Sequence, residues 1–308
     1  MQNIFFRYNR DRKEAFLETI KYTILVVAML VLIRSVPVFS LSALILPSVL
    51  ALITYRNGMA FAFISSLITA IAASVFMDPI IVIYTVFTIG GVGMITGELS
   101  YRKRKPALAI FGGAFMVTLN ILLLMYAQAR MMNVDLVDYI ISIYRESFEV
   151  QKEMMGLDMD VETFLLNLRR TFPGMVVCMG FAVSAVNYFL SGMMLSKITK
   201  KREIATLSEF TLPGNVFGGM LIIYLMTALL NYTDFVYKET LILNLTIIFG
   251  MLFFLQGIAA INNFMSRRLR PVARNIITVI LCTFMPFYTF VVAIGFVDAV
   301  MNLRRLKK

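Results

Sequence analysis

Residues 106–127 read PALAIFGGAFMVTLNILLLMYA, with no acid or base in the run, and they follow directly on Arg102, Lys103, Arg104 and Lys105. About 20 apolar residues is the length at which an α-helix crosses a hydrocarbon core of roughly 30 Å. Pro106 stands where proline is tolerated, at the start of a helix. The stretch therefore reads as a membrane crossing, and the four cations before it mark a cytoplasmic loop.

The rest of the chain repeats this pattern. Of 308 residues, 59% are apolar and 15% charged, and the mean hydropathy is +0.81. Soluble domains run at about 45–50% apolar and about 25% charged, so the excess belongs to a membrane protein. Further crossings are expected over 21–36, 39–55, 58–76, 80–98, 172–195, 212–230 and 240–261. A final apolar stretch, 275–303, would be about 43 Å long as one helix, too long for the core without strong tilt, and Pro286 offers a break into two short segments. The expected fold is an all-α, polytopic transmembrane bundle of about nine to ten membrane segments.

Charge orients it. The net charge of +11 would suggest nucleic acid in a soluble protein, but here the bases cluster between apolar runs. With the N-terminus inside and the last stretch folded back, 22 of 29 basic residues fall in cytoplasmic links. Only Arg34, Arg130, Arg145, Lys152, Arg169, Arg170 and Lys238 fall outside. Both termini are expected in the cytoplasm of a bacterial cell, with the chain in its plasma membrane. The basic N-terminal residues precede an apolar run without a cleavage site, so a retained N-terminus is expected and no lipidation signal competes.

The polar interval 128–171 is then extracytoplasmic and carries 8 acidic against 5 basic residues. Leu136, Ile140, Ile143, Tyr144 and Phe148 recur at helical spacing, which predicts an amphipathic helix. Gly156 interrupts the pattern, and Asp160 stands as an N-cap before a second helix with Val161, Phe164, Leu165 and Leu168. The pair would either cover the outer mouth of the bundle or lie flat on the membrane.

The absence of His excludes a Ser-His-Asp hydrolase, histidine-bound zinc and an imidazole shuttle. Cys178 and Cys282 stand singly in apolar surroundings and read as small hydrophobes. No nucleophile-base pair, metal cluster or nucleotide motif can be assembled, so neither an enzyme nor a resident cofactor is expected. Gly90, Gly93 and Gly97 share one face of the fourth crossing, the arrangement that lets two helices approach closely.

Ionisable groups inside lipid point to function. Arg34, Asp78, Glu98 and Asp298 fall near segment ends, where interfacial placement explains them. Polar groups at depth are mainly amides and hydroxyls, including Asn120, Asn187, Asn244 and Gln256. The plain reading is interhelical hydrogen bonding; the sharper one is that Asn120 and Asn187 line a cavity for a weakly polar solute. Arg34 and Asp78 belong to the same outer side, and Tyr84 and Tyr126 near that mouth suit either an aromatic belt or a binding site.

Three separated pieces resemble the YybS-like family of predicted bacterial membrane proteins (domain of unknown function 2232). They are Phe210, Leu212 and Pro213 in FTLP; Gln256 and Gly257 in FFLQGIAAINNF; and Gly295, Asp298 and Arg304 in GFVDAVMNLRR. The tryptophan that often accompanies the first is lacking. That family in turn resembles the substrate-binding S subunits of energy-coupling factor transporters, on the strength of ALILPSVLALITYRNG and the glycine-rich crossing after it. The likeness implies a six-helix module over 1–195 that binds a solute beneath its outer loops, followed by further membrane segments over 196–308. The Ala-x-x-x-Ala docking surface of S subunits is lacking in YTILVVAMLVLI, which leaves coupling to their transmembrane partner without its residues. Two expectations follow: a solute-binding component of uptake whose energy comes from a partner, or a non-transporting scaffold of an envelope or division assembly.

Overall fold

Hydrocarbon offers backbone groups no water to bond, so a chain this apolar must satisfy them within helices. The computed structural model describes residues 11–155, 160–200, 204–233 and 235–304, and among them no residue is a strand. Gly156 lies outside the described residues.

Helix α1 (Arg12–Ser35) is capped by the Asp11 side chain and packs on α2 (Leu46–Asn57) and α3 (Met59–Phe76). Thr23 and Ser65 join α1 to α3 at 2.7 Å, and Asn57 donates to Ala15 O and Thr19 Oγ1. A 3-10 stretch, Pro37–Ile45, leads into α2. Next, α4 (Pro79–Tyr84), a π-helical stretch (Thr85–Val92) and α5 (Gly93–Tyr101) form one broken rod. Gly93 and Gly97 of this rod lie against α2: a Cβ on Gly97 would stand 2.5 Å from Ala51 O, and one on Gly93 2.8 Å from Pro47 O. Gly90 faces Ser66 of α3 instead.

Helices α6 (Pro106–Met132) and α8 (Val161–Thr199) pack along their length, with Ser184 Oγ donating to Ile110 O. The second amphipathic helix and the sixth crossing are one helix: α8 has 39 residues, about 58 Å at 1.5 Å per residue. Its first turns therefore project beyond the core and pair with α7 (Leu136–Met155) through Arg169–Asp138 at 2.9 Å and a Phe148–Phe164 edge contact. Thr163 donates its N–H and hydroxyl to Asp160, which lowers the pKa of that carboxyl. The cap is thus intact above the usual carboxylate range and weakens as pH falls through the lowered value.

Pro173 stands inside α8 and cannot donate to the ladder. Asn244 of α10 (Lys238–Ser266) fills the opening: its Nδ2 donates to Arg170 O at 2.7 Å and its Oδ1 accepts from Gly174 N–H. Residues 170 and 174 are an i, i+4 pair, so a side chain from the neighbouring helix is spliced into the α8 ladder.

α9 (Gly214–Leu229), α11 (Pro271–Thr283) and α12 (Tyr288–Met301) complete the chain. Among the described residues seven helices are long and apolar enough to cross, or eight if α11 and α12 count as one bent span. The expected nine or ten was too high because α9 has 16 residues, and α11 and α12 have 13 and 14. At 1.5 Å per residue all three fall short of roughly 30 Å. The chain breaks at Phe284–Phe287, around Pro286, where α11 and α12 meet at 110°.

One apolar core, containing Leu52, Ile110, Tyr188, Phe210 and Leu255, joins residues on both sides of position 195. α10 and α12 pack backbone to backbone at two glycines. A Cβ on Gly295 would stand 2.6 Å from Gly257 N, and one on Gly257 would stand 2.9 Å from Val291 C. Gly295→Ala should therefore push the helices apart and cost about 1–3 kcal/mol. It should lower the melting temperature in detergent, whereas Gly218→Ala, whose Cβ would meet nothing within 4 Å, should not.

Candidate functional site

Among the described residues of the connection after α8, Ile204, Phe210 and Leu212 are buried. Thr206 and Glu209 form a capping box around the 3-10 turn Leu207–Glu209, and Phe210 and Leu212 then enter the core. Phe210 meets the edge of Phe189. Buried this way, the loop backbone must find partners inside the protein.

Gln256 of α10 supplies one: its Oε1 accepts from Leu212 N–H at 2.9 Å, while its Nε2 donates to Asp298 Oδ2 at 2.6 Å. The same Asp298 oxygen accepts from Arg304 Nε at 3.0 Å and Nη2 at 2.7 Å. Arg304 then donates to Ser208 O at 2.9 Å and Phe210 O at 2.8 Å. The side chains of Arg304 and Asp298 are 0% and 1% exposed. This node ties the loop, α10 and α12 together, with the Gly257–Gly295 contact beside it. Asp298 stands near the end of α12, as expected, and is buried there against a guanidinium. Glu98 is buried too, bonded to Arg102 Nε at 2.7 Å. Both carboxylates sit near helix ends, but neighbouring elements cover those ends.

On the other flank of the loop lies a cavity of about 690 Å³, bounded by the end of α8, residues 204–207, the end of α10 and the first three turns of α11. Its wall is largely apolar, from Phe189, Met193, Ile204 and Val279, with Ser196, Asn262, Arg274, Asn275 and Thr278 among it. Asn262 Nδ2 donates to Thr278 Oγ1 at 3.0 Å. Arg274 Nε is buried and has no hydrogen-bond partner among the described residues. Sequence reasoning missed this site, since it read Arg274 only as one of a run of loop cations.

The solute residues expected at the outer mouth are not gathered. Arg34, Asp78 and Tyr126 are exposed, the last beneath Arg130, whose Nε donates to its hydroxyl at 3.3 Å. Tyr84 OH donates to Ala43 O at 3.2 Å and Asn187 Nδ2 to Leu44 O at 2.7 Å, so these two hold the end of the 3-10 stretch. Asn120 Nδ2 donates to Thr88 Oγ1 of the π-helical stretch at 2.7 Å. Neither Asn120 nor Asn187 lines the cavity beside Arg274. Gly180 of α8 lies beside Thr118 of α6, and Asn187 and Asn120 run from that level in opposite directions, which sets them about 13 Å apart in depth. The Oδ1 of each is buried without a partner. Among the described residues no cluster of His, Cys, Asp or Glu could hold a metal ion.

The three motif pieces, far apart in sequence, meet in this one node. A family model described as "Predicted membrane protein (DUF2232)" matches residues 23–299. The chain belongs to that family. Among curated proteins it is 22% identical over 229 residues to "Uncharacterized protein YybS" of Bacillus subtilis (strain 168), covering 68% of this chain and 71% of that one. No solved structure matches it. It is a multi-pass membrane protein embedded in a lipid bilayer.

Removing one member of a buried ion pair strands the other charge and costs about 3–5 kcal/mol, while replacing both by apolar groups is far milder. Asp298→Leu should accordingly lower the melting temperature sharply, and adding Arg304→Met should restore much of the loss. Additive losses would show that the pair is not coupled.

Proposed function

We propose that this protein is a non-enzymatic, solute-binding component of the bacterial plasma membrane, whose ligand enters the cavity between α8, the 204–207 loop and α11. The observation that carries this reading is the cavity itself. Its volume of about 690 Å³ falls within the range of roughly 300–1,000 Å³ usual for small-molecule sites, and its apolar wall carries a few convergent polar groups. Energy for uptake would come from a partner, since the chain has no nucleotide motif. A site here differs from the outer pocket implied by the S-subunit likeness, because the outer candidates are either exposed or used to hold backbone carbonyls.

The basic links favour a cytoplasmic position for the cavity end and for both termini. In a chain with Cys178 and Cys282 replaced, Glu149→Cys should react with an impermeant maleimide in intact cells and Lys200→Cys should not. The opposite pattern would invert the orientation.

A ligand screen by thermal shift tests the site. Binding should raise the melting temperature by mass action, and Ser196→Trp, which fills the cavity from its rim, should abolish the rise. A wide screen without any shift, or a shift that survives Ser196→Trp, overturns the proposal. The scaffold reading draws on the α7 hairpin, where Tyr139, Ile143, Tyr144 and Val150 are exposed beyond the bundle. Repeated crosslinking of envelope proteins to these positions would favour it.

A further inference from the structure

We propose that the occupant of this cavity is an anionic membrane phospholipid, with its phosphate on Arg274 and an acyl chain along the apolar wall toward Val279. The proposal rests on the cavity being a binding site and names its ligand class.

Charge is the first argument. Arg267, Arg268, Arg270 and Arg274 fall within eight residues, of which Arg274 lines the cavity, and Lys197 and Lys200 stand in the last turn and at the C-cap of α8, whose Ser196 lines the far side of the cavity. None of the six takes part in an ion pair among the described residues, unlike Arg56, Arg102, Arg145, Arg169, Arg170 and Arg304, each of which has its carboxylate. Basic pockets between membrane helices on the cytoplasmic side are where anionic headgroups bind. Arg274 also brings a buried Nε–H without an acceptor, a donor that a phosphate oxygen would satisfy.

Depth is the second argument. With 13 residues, α11 reaches about 20 Å and cannot span the core. It starts in the basic segment at Pro271, carries Val272, Ile276 and Ile280 exposed on its outer side, with Val279 at the open edge between that side and the cavity, and turns by 110° into α12. A helix of that length, basic at its start and apolar along its flank, lies where headgroups give way to acyl chains. The cavity wall follows the same gradient, from Arg274 and Asn275 to Thr278 and Val279. The ligand class that matches it has an anionic head and an oily tail.

The chain contains no Trp, so Val279→Trp places a single fluorophore on the cavity wall. The full chain, reconstituted in vesicles, is titrated with phosphatidylglycerol or phosphatidylcholine brominated in the acyl chains. Brominated phosphatidylglycerol should quench with a relative affinity about fivefold higher, the weight of one arginine beside an anionic headgroup. Arg274→Gln in the same background should bring the two lipids level, and Arg274→Lys should keep part of the preference. Far-ultraviolet circular dichroism and gel filtration establish that each variant is folded.

Equal quenching by the two lipids, or a preference unchanged in Arg274→Gln, overturns the proposal. Loss of the preference in millimolar inorganic phosphate overturns it as well, since the anion would then be free phosphate and not a headgroup. If the lipids are equal while a screened solute still stabilises the protein in a Ser196-dependent way, the lipid is wrong and the cavity reading stands. If both fail, the cavity is not a binding site.

Discussion

Within hydrocarbon every polar group left without a protein partner is expensive, and this constraint accounts for most of the specific contacts in the structure. Where the helical ladder is whole, the backbone meets the requirement alone. Where it is broken, a side chain from another helix takes over. Asn244 repairs the ladder at Arg170 and Gly174 beside Pro173, Asn187 and Tyr84 bind the carbonyls at the end of the 3-10 stretch, and Gln256 bonds the N–H of Leu212. The three amides among them were recognisable as polar residues at depth, but the partners named here lie from 44 to 143 positions away.

The node at Asp298 follows the same logic with charges. A carboxylate and a guanidinium buried together at the end of a helical bundle need further hydrogen bonds to offset their desolvation. Arg304 donates to Ser208 O and Phe210 O, and Asp298 Oδ2 accepts from Gln256, while Asp298 Oδ1 is buried without a partner among the described residues. The Gly257–Gly295 contact brings α10 and α12 near enough for this geometry. Residues that in the sequence look like three unrelated short motifs thus form one fastening. Residues 204–207, directly before this fastening in the chain, line the 690 Å³ cavity.

The two ends of the molecule differ in kind. One carries α7 and the first turns of α8, exposed and bound by ion pairs at the surface, Arg169–Asp138 and Arg170–Glu239. Such pairs contribute about 0–1 kcal/mol and leave the hairpin free to adapt to a surface or partner. At the other end Phe210 and Leu212 turn into the core while residues 102–105 and 267–270 stay exposed, and the cavity opens between helix ends.

Much of the fold was legible because a bilayer imposes one length scale and one polarity on every crossing. The run 106–127, the amphipathic period from Leu136 to Phe148 and the N-cap at Asp160 can each be read without a neighbour. The candidate site was much less so. Arg274 is indistinguishable from Arg270 along the chain, and Asp298 from an interfacial acid. The sequence by itself determined a helical, multi-pass membrane protein and the balance of charge between its two ends, since both depend on composition within single segments. Only the tertiary structure decided that α8 runs unbroken for 39 residues, that Asp298 and Arg304 are buried together, and that a cavity opens beside Arg274. Those outcomes depend on which helices touch, and helix contact is set by glycine, amide and loop geometry acting across the fold.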